Sequence, residues 1–282
     1  MAEISQIRLG FYHRPDNIRA LYWVDKITSF LNKKFPKVEI VDSNPDVLVA
    51  LGGDGTVLEA AKKYHHTSNP MILGLNLGNV GFLTSVRQVK DFLSALDKFF
   101  KGKYLIIERM MLTVWVLHNG KKVFSSEALN DVVIENPIGM VDMEVRVGGT
   151  MIRKLRGSGV LVSTATGSTA YNLSAHGPIV TPDIKCLIMT ELMTHNVPSP
   201  SIVFKYNQAI NFKIKNFRER KLISLGNGKI KADVILITDG GEPFPLEEQD
   251  VVVVKSSQHL IKLVEFEKNY FFKSVKEQFL TK

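Results

Sequence analysis

Val47-Leu48-Val49-Ala50-Leu51-Gly52-Gly53-Asp54-Gly55-Thr56-Val57-Leu58-Glu59-Ala60-Ala61 passes from an apolar run through a glycine cluster into helix formers. The run Val47–Leu51 follows the turn signal Asn44-Pro45-Asp46 and is apolar throughout, as a strand covered on both faces is. Val57–Tyr64 reads as a helix. The glycines between them let the backbone approach a ligand closely. The helix start that follows offers free N–H groups and a positive dipole end, which suits phosphate and marks Gly52, Gly53, Gly55 and Thr56 as candidate phosphate contacts. Asp54 is the odd member, because a carboxylate beside phosphates is electrostatically unfavourable. Its chemistry points to Mg2+ or to taking a proton from an attacking hydroxyl. Gly-Asp-Gly is equally good turn chemistry at a strand end. No Gly-Lys-Ser/Thr follows, so this is not a Walker loop.

The flanking sequence repeats the strand–helix rhythm. Ile7–Tyr12 and Val38–Val41 read as strands. Asn17–Phe35 reads as a helix capped by Asp16, with Ile18, Leu21, Val24, Ile27 and Leu31 on one stripe. Met71–Leu75 is another buried-strand run, and Val89–Phe100 has helical spacing. This succession predicts an N-terminal α/β domain with a largely parallel sheet. A second loop, with Gly74, Gly78, Gly81, Asn76 and Asn79, follows the Met71–Leu75 strand. Loops at the carboxyl ends of adjacent parallel strands converge on one crevice, so the two loops are expected to build one site. Phe82 at the end of this loop is either a base-stacking ring or an ordinary core aromatic.

From about Tyr104 strand follows strand. Asn119-Gly120 sits between Leu112–Leu117 and Lys122–Phe124, a strong hairpin signal, and Gly148-Gly149 separates Glu144–Val147 from Thr150–Lys154 in the same way. Ser201–Lys215 (a split strand), Lys229–Thr238 and Val251–Val254 follow. This half reads as an antiparallel, β-sandwich-like domain. The expected domains are 1–104 and 105–262, with the helically spaced end, within 263–282, returning to the first.

Two further polar groups stand out. Asn130-Asp131 opens the run Val132–Ile134; such a pair grips ribose hydroxyls or caps a turn. After the strand Val160–Val162 comes Ser163-Thr164-Ala165-Thr166-Gly167-Ser168-Thr169-Ala170-Tyr171-Asn172-Leu173-Ser174-Ala175-His176-Gly177-Pro178, whose hydroxyl density suits a polar ligand surface. His176 reads as a turn residue.

Composition narrows the classes. With 282 residues the chain has room for roughly two domains. Hydrophobic residues at 45% and charged residues at 23% exclude wholesale disorder. A net charge of +8 is a mild bias, equally compatible with polyanionic ligands and with a plain solvated surface. Basic residues are dispersed without interleaved aromatics, so nucleic-acid binding is not expected. Cys186, the only cysteine, cannot form an internal disulfide and fits a reducing compartment. No histidine stands near it in the sequence to mark it as a nucleophile. Met1–Tyr12 does not read as a signal peptide, and no apolar run is long enough for a membrane helix; the expectation is a soluble cytoplasmic protein. The histidines lack metal-ligand spacing, and His65-His66 are expected to point to different faces.

Gly52-Gly53-Asp54-Gly55-Thr56, Asn130-Asp131 and Gly167-Ser168-Thr169-Ala170-Tyr171-Asn172-Leu173-Ser174, in this order, resemble the NAD kinase family over nearly the whole chain. The first motif is shared with lipid kinases and, loosely, with phosphofructokinases; the long third motif is specific. The resemblance implies Mg2+-dependent transfer of the ATP γ-phosphoryl group to the adenosine-ribose 2′-hydroxyl of NAD, giving NADP. It implies a homodimer or homotetramer in which neighbouring subunits complete the NAD site. By position it makes Asp54 the general base, with Gly55 beside it on the dinucleotide; Phe82 remains a substrate contact only on the base-stacking reading of its loop. It places Asn130 and Asp131 on the adenosine end, Thr169, Ala170, Tyr171, Asn172, Leu173 and Ser174 along the NAD site, and Arg156 on the substrate. The chain departs from the family at Gly157-Ser158-Gly159, where Gly-Asp-Gly is usual, so Ser158 stands at an acid's position. Thr194–Pro200 lacks the usual Ser and Arg, and Thr238-Asp239-Gly240-Gly241 only partly follows Asp-Gly-Gln. Two other readings remain open: a kinase of another hydroxyl, such as a lipid's, and a non-catalytic nucleotide sensor. No apolar approach segment favours the lipid, and Asp54 speaks against the sensor.

Overall fold

The computed structural model describes residues 7–78, 81–195, 199–226, 228 and 230–280. Its elements begin with β1 (Ile7–Tyr12), α1 (Ile18–Lys34), β2 (Val38–Ile40), β3 (Val47–Gly52), α2 (Asp54–Tyr64), β4 (Met71–Asn76) and α3 (Phe92–Phe100). Next come β5 (Leu105–His118), β6 (Lys121–Ala128), β7 (Asp131–Glu135), β8 (Val141–Val147), β9 (Thr150–Ser163) and the short α4 (Tyr171–Ser174). The chain continues with β10 (Cys186–Thr194), β11 (Ile202–Lys205), β12 (Ile210–Phe217), β13 (Ile223–Leu225), β14 (Ile230–Ala232), β15 (Val234–Thr238) and β16 (Phe244–Leu246). It ends with β17 (Val251–Glu265) and α5 (Tyr270–Val275). Two units result: residues 1–109 with 260–282, and residues 110–259.

In the first unit, β2, β1, β3 and β4 lie side by side and parallel. The end of β17 adds a further parallel strand beside β4. Every residue of β3 is buried, the burial that its uninterrupted apolar run requires. Leu9, Val49, Leu51 and Leu75 of the sheet pack with Ile27 and Leu31 of α1 and with Phe92, Leu96 and Phe99 of α3. Two expectations are corrected here. Asn17, rather than Asp16, caps α1, its side chain accepting the Ala20 N–H at 3.1 Å. The buried stripe of α1 runs through Ala20, Ile27 and Leu31, whereas Ile18 is 80% exposed and Leu21 45% exposed. The core side of α1 is taken instead by Trp23, whose ring meets Phe92 at 4.8 Å. His65 and His66 also differ from expectation, because α2 ends at Tyr64 and helical spacing no longer applies to them. Their rings lie 3.8 Å apart.

The second unit is antiparallel, in the order β16–β15–β7–β9–β8–β12–β17, with β10 also on β9, β11 on β10, and β5 joining β17 to β6. Asn119-Gly120 and Gly148-Gly149 take positive φ and close two-residue hairpins. The Ser201–Lys215 strand is split into β11 and β12, and Val251–Val254 extends into the much longer β17. One core collects Leu112, Val114, Met143, Val145, Val160, Val162, Phe212, Val252 and Val254. On β7, Val132 and Ile134 enter this core. Strand alternation then puts Asp131, Val133 and Glu135 on the other face. There Val133 packs with Leu161 and Leu192, and Ala175 lies against that cluster. Among the described residues no helix is long and apolar enough to cross a membrane.

The cap assignment is directly testable. Asn17→Ala is expected to cost about 1 kcal/mol of stability, and Asp16→Ala only a few tenths. Urea unfolding midpoints of the two variants check the difference.

Candidate active site

The carboxyl ends of β3 and β4 are neighbours, with Gly52 opposite Asn76. The loops leaving them therefore meet, as expected for adjacent parallel strands. Asp54 is the first residue of α2 and Gly53 its N-cap. The first intrahelical bonds run from Thr56 and Val57 to the Gly53 carbonyl, so the N–H groups of Asp54 and Gly55 stand ahead of them at the positive end of the helix. The Asp54 carboxylate turns the other way, into the loop after β4. One oxygen accepts the Phe82 N–H at 2.7 Å and the other the Leu83 N–H at 3.0 Å. Gly81 makes this possible, since a Cβ there would collide with the carboxylate. Burial pushes the Asp54 carboxyl above its ordinary value, against the N–H groups of Phe82, Leu83 and Thr84 and the Arg109 guanidinium, which pull it down. Arg109 is buried and paired with Glu265 at 2.9 Å.

Three members of this loop region have other outcomes. Phe82 is only 9% exposed, and its ring lies 5.8 Å from Phe271 and 6.2 Å from Phe279. Of the two readings open for it, this placement favours the core aromatic, with its backbone N–H on Asp54. Asn76 is buried and ties the loop together, accepting from Gly78 N–H at 2.7 Å and donating to the Thr84 hydroxyl at 3.1 Å. Asn79 lies outside the described residues. Sequence reasoning missed Arg14, which follows β1 at the same edge of the sheet. Its guanidinium pairs with Glu59 at 2.8 Å and comes within 3.7 Å of where a Cβ on Gly55 would lie.

The second unit gathers the other two motifs. Thr164 N–H donates to the Asn130 carbonyl at 2.9 Å, and the Thr164 hydroxyl to the Leu129 carbonyl at 2.7 Å. Gly167 abuts the Asn130 carbonyl so closely that a Cβ would not fit. Asp239, at a positive φ after β15, accepts the N–H groups of Leu129 and Asn130 at 2.7 Å each and of Asp131 at 3.2 Å. The hydroxyl-rich motif is thus partly a clasp. Ser163, Thr164 and Ser168 are buried, and Ser168 donates to the Ala165 carbonyl at 2.7 Å. Asn172 is buried as well; its carbonyl oxygen accepts the Thr190 hydroxyl at 2.8 Å and its amide donates to the Pro178 carbonyl at 3.1 Å. Part of the hydroxyl density that suits a polar ligand surface therefore goes to buried carbonyls within the chain. Tyr171 and Ser174 are exposed, while Thr169, Ala170 and Leu173 are partly so. His176 takes a positive φ, as a turn residue does.

Asp131 is 5% exposed. Burial, and after it the like charge of Asp239, push its carboxyl up to about 7. The Tyr171 phenol is raised by burial and, after it, by the Glu135 and Asp131 charges. Glu135 drew no attention in the sequence; its two-residue spacing from Val133 and four from Asp131 was the available signal. Arg156 and Ser158 lie elsewhere in the unit. They line a cavity of about 600 Å³ with Asn136, Met140, Arg218, Arg220 and Asp233, and Arg156 sits 3.6 Å from Asp142. No residue of the 163–174 motif lines that cavity. Of Thr194–Pro200, residues Asn196, Val197 and Pro198 lie outside the described residues.

A glycine-rich strand–loop–helix edge with a buried acid, in one unit, and a clasp around Asn130-Asp131 in the other define a nucleotide-binding protein of the phosphotransferase type. Residues 6–104 match the family model of the ATP-NAD kinase N-terminal domain, and residues 129–266 that of the ATP-NAD kinase C-terminal domain. The chain belongs to the NAD kinase family. It is 38% identical over 221 residues to an NAD kinase of Symbiobacterium thermophilum, covering 78% of this chain and 73% of that protein. It is 31% identical over 280 residues to an NAD kinase of Lachnoclostridium phytofermentans, covering 98% and 93%. Its fold matches yeast NADH kinase complexed with NADH at a TM-score of 0.88 and 19% identity, over 99% of this chain and 89% of that one. It matches an NAD kinase from Archaeoglobus fulgidus in complex with ATP at 0.73 and 23%, over 96% and 99%.

Asp131 gives a pH signature with a definite sign. Its carboxyl moves from about 3.8 to about 7 on folding, so the folded state holds a proton that the unfolded chain releases. The stability tied to that proton is full below the lower value and is lost as pH rises towards the upper one. Unfolding temperatures from pH 4 to 8 are expected to decline over that window in the wild type. Asp131→Asn should flatten this part of the profile.

Proposed function

We propose that this chain phosphorylates NAD with ATP, and that the reaction uses Asp54 as its base. The observation that carries the reading is the Asp54 carboxylate: burial raises its basicity while two backbone N–H groups fix its direction. A base of raised pKa beside a phosphate-binding helix start suits proton removal from a sugar hydroxyl. In the step proposed, Asp54 takes the proton of the adenosine-ribose 2′-hydroxyl as that oxygen forms its bond to the ATP γ-phosphorus. The bond from the γ-phosphorus to the bridging oxygen breaks, and ADP leaves. The free N–H groups of Asp54 and Gly55, with Gly52, Gly53 and Thr56 shaping the turn, face the phosphates and stabilise their charge.

Both Asp54 oxygens already accept N–H groups. Mg2+ is assigned to the nucleotide substrate, held chiefly by its phosphates, as is usual for this cation; each Asp54 oxygen keeps a second lone pair for the proton. Recognition of the dinucleotide is assigned to the second unit. Asn130 and Asp131 hold the adenosine end, and Thr169, Ala170, Tyr171, Leu173 and Ser174 line the site. Asn172 supports them through its buried hydrogen bonds; in the first unit Phe82 serves through its N–H on Asp54. Arg156 and Ser158 act from their own cavity, which fits a homodimer or homotetramer in which one copy completes the site of another. A cytoplasmic location accords with the substrates and with the lone buried thiol of Cys186.

Incubating the protein with NAD, ATP and Mg2+ and identifying the product tests the activity; NADP is expected. Asp54→Asn keeps the shape and removes the base, so turnover should fall by about 10²–10⁴-fold with little change in NAD binding. Turnover retained within a few-fold removes Asp54 from the role of base. ATP consumption without NADP would favour a different hydroxyl substrate.

A further inference from the structure

The loop that holds Asp54 is itself held by the end of the chain. Phe82 and Leu83 give their N–H groups to the carboxylate. The next residue, Thr84, accepts the phenolic proton of Tyr270 on its carbonyl oxygen. Tyr270 stands at the start of α5 and is only 5% exposed. Arg87, three residues beyond Thr84, lies with its guanidinium 4.5 Å from the centre of the Tyr270 ring and donates from Nε to the phenolic oxygen at 3.3 Å. The same guanidinium donates to the Ser274 hydroxyl at 2.6 Å and pairs with Glu277. The rings of Phe271 and Phe279 close on Phe82.

A terminal helix that merely covered apolar surface would need only the phenylalanines. Here a buried phenol is directed at one backbone carbonyl, and a largely buried guanidinium at that phenol. A buried polar group of this kind costs stability unless bonded, so its partners fix its place closely. The carbonyl it reaches belongs to the residue that follows the two N–H donors of Asp54. Movement of Thr84 therefore moves those donors.

We infer that Tyr270 is a positioning residue for phosphoryl transfer, fixing the 82–84 backbone that aims Asp54, with Arg87 holding the phenol in place. This rests on the reading of Asp54 as the base. Without the anchor the donors drift, and a base displaced by a fraction of an ångström loses part of the roughly 10²-fold that a 1 Å error costs. The N–H bonds also lower the Asp54 pKa, so weakening them raises it further. Arg109 from β5, paired with Glu265 of β17, and Tyr270 from α5 are the charged and titratable groups acting on Asp54 across these contacts. The first two are untouched by a change at Tyr270.

The test is steady-state kinetics of the full-length chain with NAD, ATP and Mg2+ across pH, for wild type and Tyr270→Phe. The variant keeps the ring and removes the hydroxyl. The expected result is a roughly tenfold drop in kcat, with KM for NAD and for ATP within about twofold. The acid limb of the kcat profile should move to higher pH, which packing loss alone would not produce. Arg87→Gln, which leaves the phenol intact but loosens it, should move kcat and the limb in the same direction by less. It stands in if Tyr270→Phe unfolds. A folded Tyr270→Phe with wild-type kcat and an unmoved limb overturns the positioning role, as does an Arg87→Gln of wild-type behaviour where it stands in. Wild type that forms no NADP overturns the kinase reading instead, and the inference with it.

Discussion

The pair of hydrogen bonds from Phe82 and Leu83 to the Asp54 carboxylate is the constraint on which the first unit's chemistry depends. It exists because β3 and β4 are parallel neighbours whose connections leave at the same edge. It needs the absence of a side chain at Gly81. It holds the acid's side chain on the loop after β4, while the N–H groups of Asp54 and Gly55 stand ahead of the first intrahelical bonds of α2. One short segment thus carries a fixed carboxylate and a helix start with N–H groups that the helix itself does not use.

The second unit solves a similar problem with carbonyls and hydroxyls. The turn before β7 has three N–H groups in succession, and Asp239 receives all three. Its carbonyls are received in turn by the N–H and hydroxyl of Thr164. With the backbone saturated from both sides, the Asp131 side chain is left on a packed face beside another acid, and its proton is retained to about pH 7. The clasp thus sets a titration as well as a shape. Near neutrality Asp131 is divided between a form that donates and a form that only accepts.

The alternation of strand and helix, the glycine hairpins and the meeting of the two glycine loops were legible in the sequence because each follows from local periodicity or from the rule for parallel neighbours. What was not legible depended on partners far away in the chain. Tyr270 lies 186 residues from Thr84 and Asp239 lies 109 from Asn130; neither carries a local signal of its contact. The stripe of α1 differs from the expected one because Ile18 and Leu21 match the helical period as well as the residues that are buried. The large Trp23 ring, with Phe92 waiting beneath it, decided which face turned inward. The hydroxyls of 163–168 looked like ligand groups because composition cannot distinguish a hydroxyl facing solvent from one satisfying a buried carbonyl.

The places where this chain keeps and leaves the family pattern follow the same physical division. A phosphate cradle built from backbone N–H groups admits few sequences, since any Cβ at Gly81 destroys the approach that aims its acid. Contacts to hydroxyl or amide groups of a dinucleotide are made by side-chain acceptors and donors, and several residue types can supply those. Ser158 is one such position: it lines its cavity beside Arg156, and its carbonyl accepts the Asn136 N–H at 2.7 Å whatever side chain stands there. Glu135 lies on the neighbouring strand opposite Gly159, on the other face of the sheet from the Ser158 side chain, so its carboxylate does not replace an acid at 158. The loop around Asp54 is constrained through its backbone, at Gly81 above all, whereas the departures at Ser158 and Gly241 concern side chains of the second unit.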